Sequence, residues 1–436
     1  MGRAKEAALI METPEREMER RKPAPWWRLL GPGLITGASD DDPSGIATYS
    51  QVGAQFGYGL LWTLPFSLPL MAATQEISAR VGRVTGHGLA GNLRRHYAPG
   101  WLYALAGLLL IANTINLGAD LGAMGVALKL VIGGHAHLYT LLFGVFCLLA
   151  QVFIPYRAYV RVLKWLSAAL LAYVTVVFVV RVPWGAVLQA TFVPHLVLSA
   201  AYLQGLIALL GTTISPYLFF WQASQEVEEI NTTPGAERLT RAPSQAPGQF
   251  HRIRVDTYAG MTFSNVVAFF ITLTAAVTLH AHGVTHIQTA TEAAQALEPL
   301  AGRFTFLLFS LGLIGTGLLA VPVLAGSAAY AVGEALHWPV GLQRKPLEAR
   351  GFYGVLTVAT LLGMALNFSP VDPLQALYWA AIVNGVGAGP VMVMLMLLAN
   401  NPRVMRQFVI PRGLRVVGWF ATGVMLAASV AMFLTS

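Results

Sequence analysis

The sequence has too few charged residues for a protein that folds in water. Asp, Glu, Lys and Arg together make up 11% of its 436 residues, whereas 56% are hydrophobic. Soluble domains carry about 25% charged residues. With a mean hydropathy of +0.60, the chain cannot cover a soluble surface, and we expect it to lie in a lipid bilayer.

Cysteine is almost absent, and histidine is absent from the most apolar stretches. Cys147 is the single cysteine and lies in an apolar run, which excludes an intrachain disulfide and a metal cluster held by cysteines. None of the ten histidines falls in the core of an apolar segment. A site that selects zinc, copper or iron through thiolate or imidazole ligands therefore has little to build on.

Apolar segments of about 20 residues, long enough to cross about 30 Å of hydrocarbon, predict an all-α membrane protein with eleven transmembrane helices. The predicted spans are residues 27–54, 59–80, 101–132, 138–155, 160–180, 196–222, 256–279, 300–336, 351–368, 374–399 and 413–434.

Basic residues are concentrated in alternate connections between these spans. If the N-terminus is cytoplasmic, all of the 28 lysines and arginines except Lys129, Arg181 and Arg303 fall in the N-terminal tail or on the cytoplasmic side. This is the positive-inside distribution of membrane proteins. It accounts for a pI near 9.7 without a nucleic-acid partner, and it places the C-terminus outside.

A polar loop rich in Pro, Gly, Ser and Thr, from Glu226 to Arg254, separates spans 1–5 from spans 6–10. Because five is an odd number, two related halves would lie inverted in the membrane, which is a common plan among transporters. The predicted organisation is a cytoplasmic N-terminal tail (1–25), a first inverted repeat (26–182), a second inverted repeat (195–400) and an additional span 11 (412–436).

Each half begins with a span that proline interrupts among polar residues. Span 1 contains DDDPSG at residues 40–45, and span 6 contains TTISPY at residues 212–217. Proline removes a backbone donor and clashes with the carbonyl four residues back, and freed carbonyls are tolerated at membrane depth where they line a cavity. The pattern predicts that helices 1 and 6 are broken, although an ordinary proline kink remains an alternative for helix 6.

The three consecutive aspartates at residues 40–42 are costly at this depth. A carboxylate at mid-membrane costs about 2.5–3.5 kcal/mol, and successive helical residues point about 100° apart, so at most two can face one cavity. We expect one aspartate to cap the following half-helix and another to meet a diffusible cation, because neither break contains lysine or arginine. Oxygen ligands suit hard ions such as Mg²⁺, Mn²⁺ or Ca²⁺.

The stretch GPGLITGASDDDPSGIATYSQVGAQFGYGLLW, followed by QEISARVGRVTGHGLAGNLRRHY, resembles the first two spans of the Nramp family of divalent-metal transporters. Spans 6, 7 and 10 agree in layout, so the resemblance covers nearly the whole chain. It implies an inverted five-plus-five repeat that binds metal between the two broken helices and works by alternating access.

The resemblance also implies which residues bind metal. The family's first-helix motif Asp-Pro-Gly-Asn falls on Asp42 and Gly45, its sixth-helix carbonyl and methionine positions fall on Thr212 and Ser215, and its tenth-helix glutamine falls on Asn384. The chain therefore lacks the family's asparagine and methionine ligands. Losing the thioether removes the soft ligand that favours transition metals, and the smaller residues widen the cavity. Mg²⁺ usually keeps several waters, and the pattern is similar to the Nramp-related magnesium transporter branch, which takes Mg²⁺ and also Mn²⁺.

The proton path of the family is altered as well. It begins on the third helix with an aspartate and a glutamate one turn on, and these positions fall on Asn116 and Ala119. Asp120 is one residue away from the second position and points in a different direction. The sixth-helix histidines of the path fall on Tyr217 and Gln222. Because asparagine cannot titrate, we predict transport without proton coupling.

These observations predict a secondary transporter, not an enzyme, that imports Mg²⁺ and also Mn²⁺ as substrates and uses no cofactor. We expect a monomer that crosses the inner (plasma) membrane many times. One alternative is a proton-coupled Mn²⁺/Fe²⁺ transporter of the ordinary Nramp type, which would need a soft ligand near Ser215 and an acidic relay near Asn116. A symporter of an organic substrate would bring a carboxylate that Asp42 repels. An intramembrane hydrolase that uses Ser44 would need a membrane-embedded base.

Overall fold

The computed structural model describes residues 32–154 and 170–435, and the regular secondary structure of that part of the chain is helical throughout. The predicted tail (1–25) and the beginning of the predicted span 160–180 lie outside the described residues. The helices of the first half are α1 (Pro32–Asp40), α2 (Pro43–Phe56), α3 (Thr63–Thr85), α4 (Leu89–His96), α5 (Pro99–Ile132), α6 (Ala136–Phe153), α7 (Leu171–Val179) and α8 (Trp184–Phe192).

The second half follows after a short extended connection. Its helices are α9 (Ala200–Thr213), α10 (Pro216–Thr232), α11 (Ala246–Thr278), α12 (Ala290–Gln295), α13 (Glu298–Ala301), α14 (Thr305–Ala335), α15 (Arg350–Leu366), α16 (Pro373–Asn400), α17 (Pro402–Met405) and α18 (Arg412–Thr435).

Seven segments of the described chain are long and apolar enough to cross a membrane, namely α5, α6, the α9–α10 pair, the segment containing α11, α14, α16 and α18. Three other predicted spans do not form one long, uncharged helix. The first is divided into α1 and α2, of 9 and 14 residues. Helix α3 carries Glu76, Arg80 and Arg83 in its second half, and α15 has 17 residues. The all-helical membrane fold predicted from the sequence is confirmed.

The broken helices are seated on two long helices through direct backbone contact. A Cβ added to Gly37 of α1 would lie 2.3 Å from the carbonyl group of Gly260 on α11. A Cβ added to Gly211 of α9 would lie 2.2 Å from the carbonyl oxygen of Ala381 on α16. Side chains at these glycines would force the helices apart, so the sequence fixes the distance at which each broken helix packs.

The breaks fall at equivalent places in the two halves. Helix α1 ends at Asp40 and α2 starts at Pro43, while α9 ends at Thr213 and α10 starts at Pro216. In both cases two non-helical residues precede a proline at the first helical position, where its missing N–H has no partner to lose. The structure therefore has a true break, and not a kink, in the sixth predicted span (α9 and α10) as well as in the first (α1 and α2).

Candidate metal site between the helix breaks

Asp42 lies at the start of α2 and is surrounded by hydrogen-bond donors. Its Oδ1 accepts from the Gly45 N–H at 2.8 Å and from the Ser44 hydroxyl at 2.5 Å. Its Oδ2 accepts from Asn116 Nδ2 at 3.1 Å and lies 3.3 Å from the Tyr217 hydroxyl. Asp42 is 1% exposed. Neutral donors surround the carboxylate, and none of the ion pairs among the described residues includes it.

The predicted division of labour among the three aspartates is wrong in one respect. We expected one aspartate to cap α2 and a different one to meet a cation, but the N-cap residue is Asp42 itself. The other two turn towards α11, where the Ser264 hydroxyl lies 2.7 Å from Asp40 Oδ2 and 3.2 Å from Asp41 Oδ1. The cap and the candidate ligand are therefore the same carboxylate, whereas the neighbouring aspartates have a partner on another helix.

Gly45 lies where the two breaks approach each other. A Cβ built on this residue would be 3.4 Å from both the Asp40 carbonyl oxygen and Thr212 Oγ1, and 3.2 Å from the Tyr49 ring. A side chain at Gly45 would therefore contact oxygen atoms of both breaks. The structure brings Asp42, Gly45 and Thr212 together, and their role as metal ligands stays a prediction.

The second break satisfies its own backbone. The Ser215 hydroxyl lies 2.9 Å from the carbonyl oxygens of both Gly211 and Thr212, and the Thr213 hydroxyl lies 3.0 Å from that of Leu209. These hydroxyls serve carbonyls that the end of α9 leaves without helical partners. A cation approaching Thr212 O or Ser215 Oγ would use the lone pairs that remain, and no sulfur atom stands at position 215.

Asn384 is the predicted site residue that the tenth predicted span contributes. It is 2% exposed and lies on α16, next to the Gly385 backbone that contacts Gly211 of α9. Its Oδ1 has no hydrogen-bond partner. Helix α16 also packs along α2, so Asn384 belongs to the wall that joins the two broken helices and has an oxygen atom to offer.

Two residues contact Asp42 that the sequence prediction did not include in the site. Asn116 and Tyr217 were recognised only as positions where a proton relay is lost, yet both donate towards Asp42 Oδ2. Tyr217 also lies 3.3 Å from the Ser39 carbonyl oxygen, so it links the start of α10 to the end of α1. The signal was available, since both positions were already matched to functional positions of the family.

Two cavities approach the breaks from opposite directions. One, of about 310 Å³, is lined by Ala47, Gln51 and Gln55 of α2 together with residues of α9, α16 and the 286–288 loop; we call it the Gln51 cavity. The other, of about 720 Å³, is lined by Pro32 and Ile35 of α1, by α10 residues including Glu228, and by the 342–346 loop; we call it the Glu228 cavity. None of the five predicted metal-binding residues lines either cavity. The site is therefore enclosed between them.

Polar contacts hold the enclosure shut on the side of the Glu228 cavity. The Asp256 carboxylate of α11 accepts from the Gly33 and Leu34 N–H groups at 2.7 and 2.9 Å, at the first turn of α1. Arg252 of the same helix forms an ion pair with Glu226 of α10 at 2.5 Å. These contacts join both α1 and α10 to α11 beside this cavity.

The chemical consequence is a site with one central carboxylate and mainly neutral oxygen atoms around it. Within the described residues, no three His, Cys, Asp or Glu side chains converge in a way that could hold a metal ion. A cation at the breaks would meet Asp42 together with carbonyl, hydroxyl and amide oxygens. Such a ligand set suits a hard ion that keeps part of its water shell.

Comparison with known proteins identifies the family of the chain. The sequence model of the Nramp family, described as natural resistance-associated macrophage protein-like, matches residues 33–435. A protein named divalent metal cation transporter MntH from Klebsiella pneumoniae is 27% identical over 409 residues, which is 92% of each chain. The MntH protein of Deinococcus radiodurans is 28% identical over 411 residues and is covered to 87%.

Solved structures share the fold at lower sequence identity. The manganese transporter of Eremococcus coleocola superposes with a TM-score of 0.72 at 17% identity, over 95% of this chain and 88% of that one. MhsT, solved in complex with L-phenylalanine, gives a TM-score of 0.54 at 13% identity, over 92% of this chain and 98% of that one. These likenesses concern the fold alone.

Proposed function

The chain belongs to the Nramp family, and from this premise we propose that it is a secondary transporter that imports divalent cations, Mg²⁺ and also Mn²⁺, without proton coupling. The curated relatives carry the name divalent metal cation transporter, which supports a divalent cation as substrate. The observation that carries the proposal is Asp42, a buried carboxylate at a helix break that has only uncharged hydrogen-bond donors.

The preference for Mg²⁺ rests on the neighbours of Asp42. Gly45 contributes no side chain, and Ser215 presents a hydroxyl group where the family has a thioether. Mg²⁺ dehydrates reluctantly and usually keeps several waters, so it is bound through one or two carboxylates. Thr212 and Asn384 would complete the site with oxygen atoms. We propose Asp42, Gly45, Thr212, Ser215 and Asn384 as the residues that surround the transported ion.

The absence of proton coupling is supported by the two groups that contact Asp42 Oδ2. Asn116 does not titrate, and the Tyr217 hydroxyl lies at hydrogen-bond distance from the same carboxylate oxygen. Both can therefore serve as fixed donors at neutral pH. An inside-negative potential of 100 mV is worth about 2.3 kcal/mol per charge, or about 4.6 kcal/mol for a divalent ion, which is enough to drive uptake.

The membrane arrangement follows the distribution of basic residues. We propose a cytoplasmic N-terminal tail (1–25), two inverted repeats (26–182 and 195–400) and the additional span 412–436, in a monomer in the inner (plasma) membrane. The Gln51 cavity then opens outside and the Glu228 cavity opens to the cytoplasm. The chain would move ions without changing them, so we propose no enzymatic activity.

One observation bears on the alternative of a proton-coupled Mn²⁺/Fe²⁺ transporter. A Cβ added to Gly317 of α14 would lie 2.5 Å from the Met124 sulfur and 3.2 Å from Pro43 Cγ. A thioether is thus present beside the first break, although not at position 215. It packs against α14, which favours a role in the core over a role as a ligand.

The test is cation entry into liposomes that contain the purified protein. One set is loaded with a Mg²⁺-sensitive dye and a second with a pH-sensitive dye, and Mn²⁺ and Fe²⁺ are compared under the same potential. We expect Mg²⁺ and Mn²⁺ to enter without acidification of the lumen. Acidification that follows metal entry would contradict the absence of coupling, and entry of Fe²⁺ without Mg²⁺ would contradict the substrate.

Asp42→Asn removes the negative charge and keeps the helix cap, since asparagine is as good an N-cap residue as aspartate. We expect this variant to fold and to lose transport. Asp372→Asn is the matched control, because Asp372 caps α16 through the Leu374 N–H at 2.8 Å, and we expect it to transport normally.

A further inference from the structure

Asp120 on α5 is a buried carboxylate that the site described above does not use. Its relative exposure is 0%, and neither of its oxygen atoms has a hydrogen-bond partner. The other fully buried carboxylates of the described chain have donors, as Glu76 has Arg80 and Asp256 has the first turn of α1. Among the described residues, Asp120 is the buried acid with both oxygen atoms unpartnered.

The position of Asp120 explains what it faces. Residues four apart on a helix share a face, so Asn116, Asp120 and Met124 lie on one side of α5. Asn116 donates to Asp42, and the Met124 sulfur packs at Gly317, next to Pro43. The residues before and after Asp120 on this face therefore both reach the start of α2.

A carboxylate in this position is costly unless something meets it. A charged side chain at mid-membrane is costly, and a buried polar group without a hydrogen bond adds to that cost. The ion pairs of the described chain do not include Asp120. Two possibilities remain, a permanently neutral acid or a carboxylate that a mobile cation meets.

Charge balance favours the mobile cation. A divalent ion beside Asp42 alone would keep one uncompensated positive charge in a low-dielectric enclosure. Asp40 and Asp41 share the Ser264 hydroxyl and lie on the side of α11, whereas Asp120 lies on the side of α5 with both oxygens available. Asp120 is thus the acid placed to supply the second negative charge.

We propose that Asp120 forms a second position for the transported cation, which holds a partly hydrated divalent ion on its way to Asp42. With the predicted topology, α5 runs outwards from Pro99, so Asp120 lies about 6 Å further out than Asn116 at 1.5 Å per residue. The ion coming from the Gln51 cavity would meet Asp120 first. This inference rests on the proposed function, because it takes a divalent cation as the substrate.

The test compares Asp120→Asn, which keeps the shape and removes the charge, with the wild type in the liposome assay. We expect the KM for Mg²⁺ to rise at least about tenfold, with kcat changed by less than about threefold, and we expect Asp120→Glu to recover part of the affinity. The control is Glu237→Gln, which removes an exposed carboxylate in the loop between α10 and α11 and should leave both constants unchanged.

A second measurement does not depend on transport. Mg²⁺ that binds the folded protein raises the unfolding temperature in proportion to its affinity, so thermal unfolding in detergent with increasing Mg²⁺ reports binding directly. The half-maximal Mg²⁺ concentration should be at least about tenfold higher for Asp120→Asn than for the wild type. Without Mg²⁺, Asp120→Asn should unfold no earlier than the wild type, because it removes an unpaired buried acid.

Each contrary result has its own meaning. If Asp120→Asn leaves the KM and the binding curve unchanged, Asp120 is a neutral acid and the inference is overturned. If the wild type acidifies the lumen and Asp120→Asn abolishes only that, Asp120 carries protons and the inference is overturned as well. If the wild type neither binds nor carries Mg²⁺, the proposed function itself fails.

Discussion

The two helix breaks have the same backbone plan but opposite chemistry. At the first, Asp42 caps the half-helix that follows, and its oxygens accept from Ser44, Gly45 and Asn116. At the second, Ser215 turns back and donates to the half-helix that precedes it. The first break carries charge and depends on neighbouring helices, whereas the second is neutral and depends on its own hydroxyls.

This difference indicates how the two halves share one task. In the proposed transporter, the first break would attract the cation through its charge, and hydrogen bonds tie it to α5, α10 and α11. The second break presents carbonyl and hydroxyl oxygens at a fixed spacing, which bears on the size and hydration of the ion. The charge at one break and the neutral oxygens at the other can be altered separately.

The largest effect should come from removing the charge of the first break. In Asp42→Asn, the N-cap is kept while a buried anion becomes a neutral amide. We expect kcat/KM for Mg²⁺ to fall at least about 100-fold, equivalent to about 2.7 kcal/mol, measured as initial rates of dye signal in liposomes. Asp42→Ala should also lose about 1 kcal/mol of stability with the cap. Normal transport by Asp42→Asn would show that transport does not need the charge of the first break, and this would contradict the contrast between the two breaks.

A smaller effect should come from changing the chemistry of the second break. Ser215→Met introduces a soft thioether, which favours transition metals over Mg²⁺. We expect the preference for Mn²⁺ over Mg²⁺ to rise about tenfold, measured by competition between the two ions. Ser215→Ala is the control, since it removes the same hydroxyl bonds, worth about 1 kcal/mol of stability, without adding sulfur. An equal shift in both variants would show that sulfur is not the cause.

A still smaller effect should come from loosening the link between the breaks. Tyr217→Phe removes the hydroxyl that lies 3.3 Å from both Asp42 Oδ2 and the Ser39 carbonyl oxygen. A hydrogen bond is worth about 0.5–1.5 kcal/mol, so the KM for Mg²⁺ should change about two- to tenfold. The control is Tyr139→Phe, whose hydroxyl bonds Gly133 at an exposed site. Complete loss of transport in Tyr217→Phe would mean that the Tyr217 hydroxyl has a role beyond its hydrogen bonds to Asp42 and Ser39.

The smallest effect should come from the thioether beside the first break. Met124→Leu keeps the volume and costs less than about 1.5 kcal/mol in a core. We expect Mg²⁺ and Mn²⁺ entry to remain within about twofold of the wild type. Selective loss of Mn²⁺ entry, with Mg²⁺ entry intact, would identify Met124 as a soft ligand and would favour the alternative of a transition-metal transporter.

The parts of the fold that depend on local chemistry could be predicted from the sequence. Pro43 and Pro216 each begin a half-helix, because proline acts on its own backbone, and the long apolar spans follow from composition. The short helices α4, α8, α12, α13 and α17 were not predicted, since they are too short for the span criterion.

The site could be predicted only in part. Asp42 was identified from its charge and from a motif, but the Ser264 hydroxyl that engages Asp40 and Asp41 lies more than 200 residues away in the sequence. The approach of Asn116 and Tyr217 to Asp42 likewise spans 74 and 175 residues. No local pattern encodes such contacts.

The most direct measurement is the position of a bound ion. Crystals of the protein grown with Mn²⁺ and measured near the manganese absorption edge would locate the metal by its anomalous scattering. We predict the strongest peak between the two breaks, at about 2.0–2.6 Å from an Asp42 oxygen if the contact is direct or about one water further away, and its loss in Asp42→Asn. A strongest peak in the Glu228 cavity, with none beside Asp42, would contradict the account.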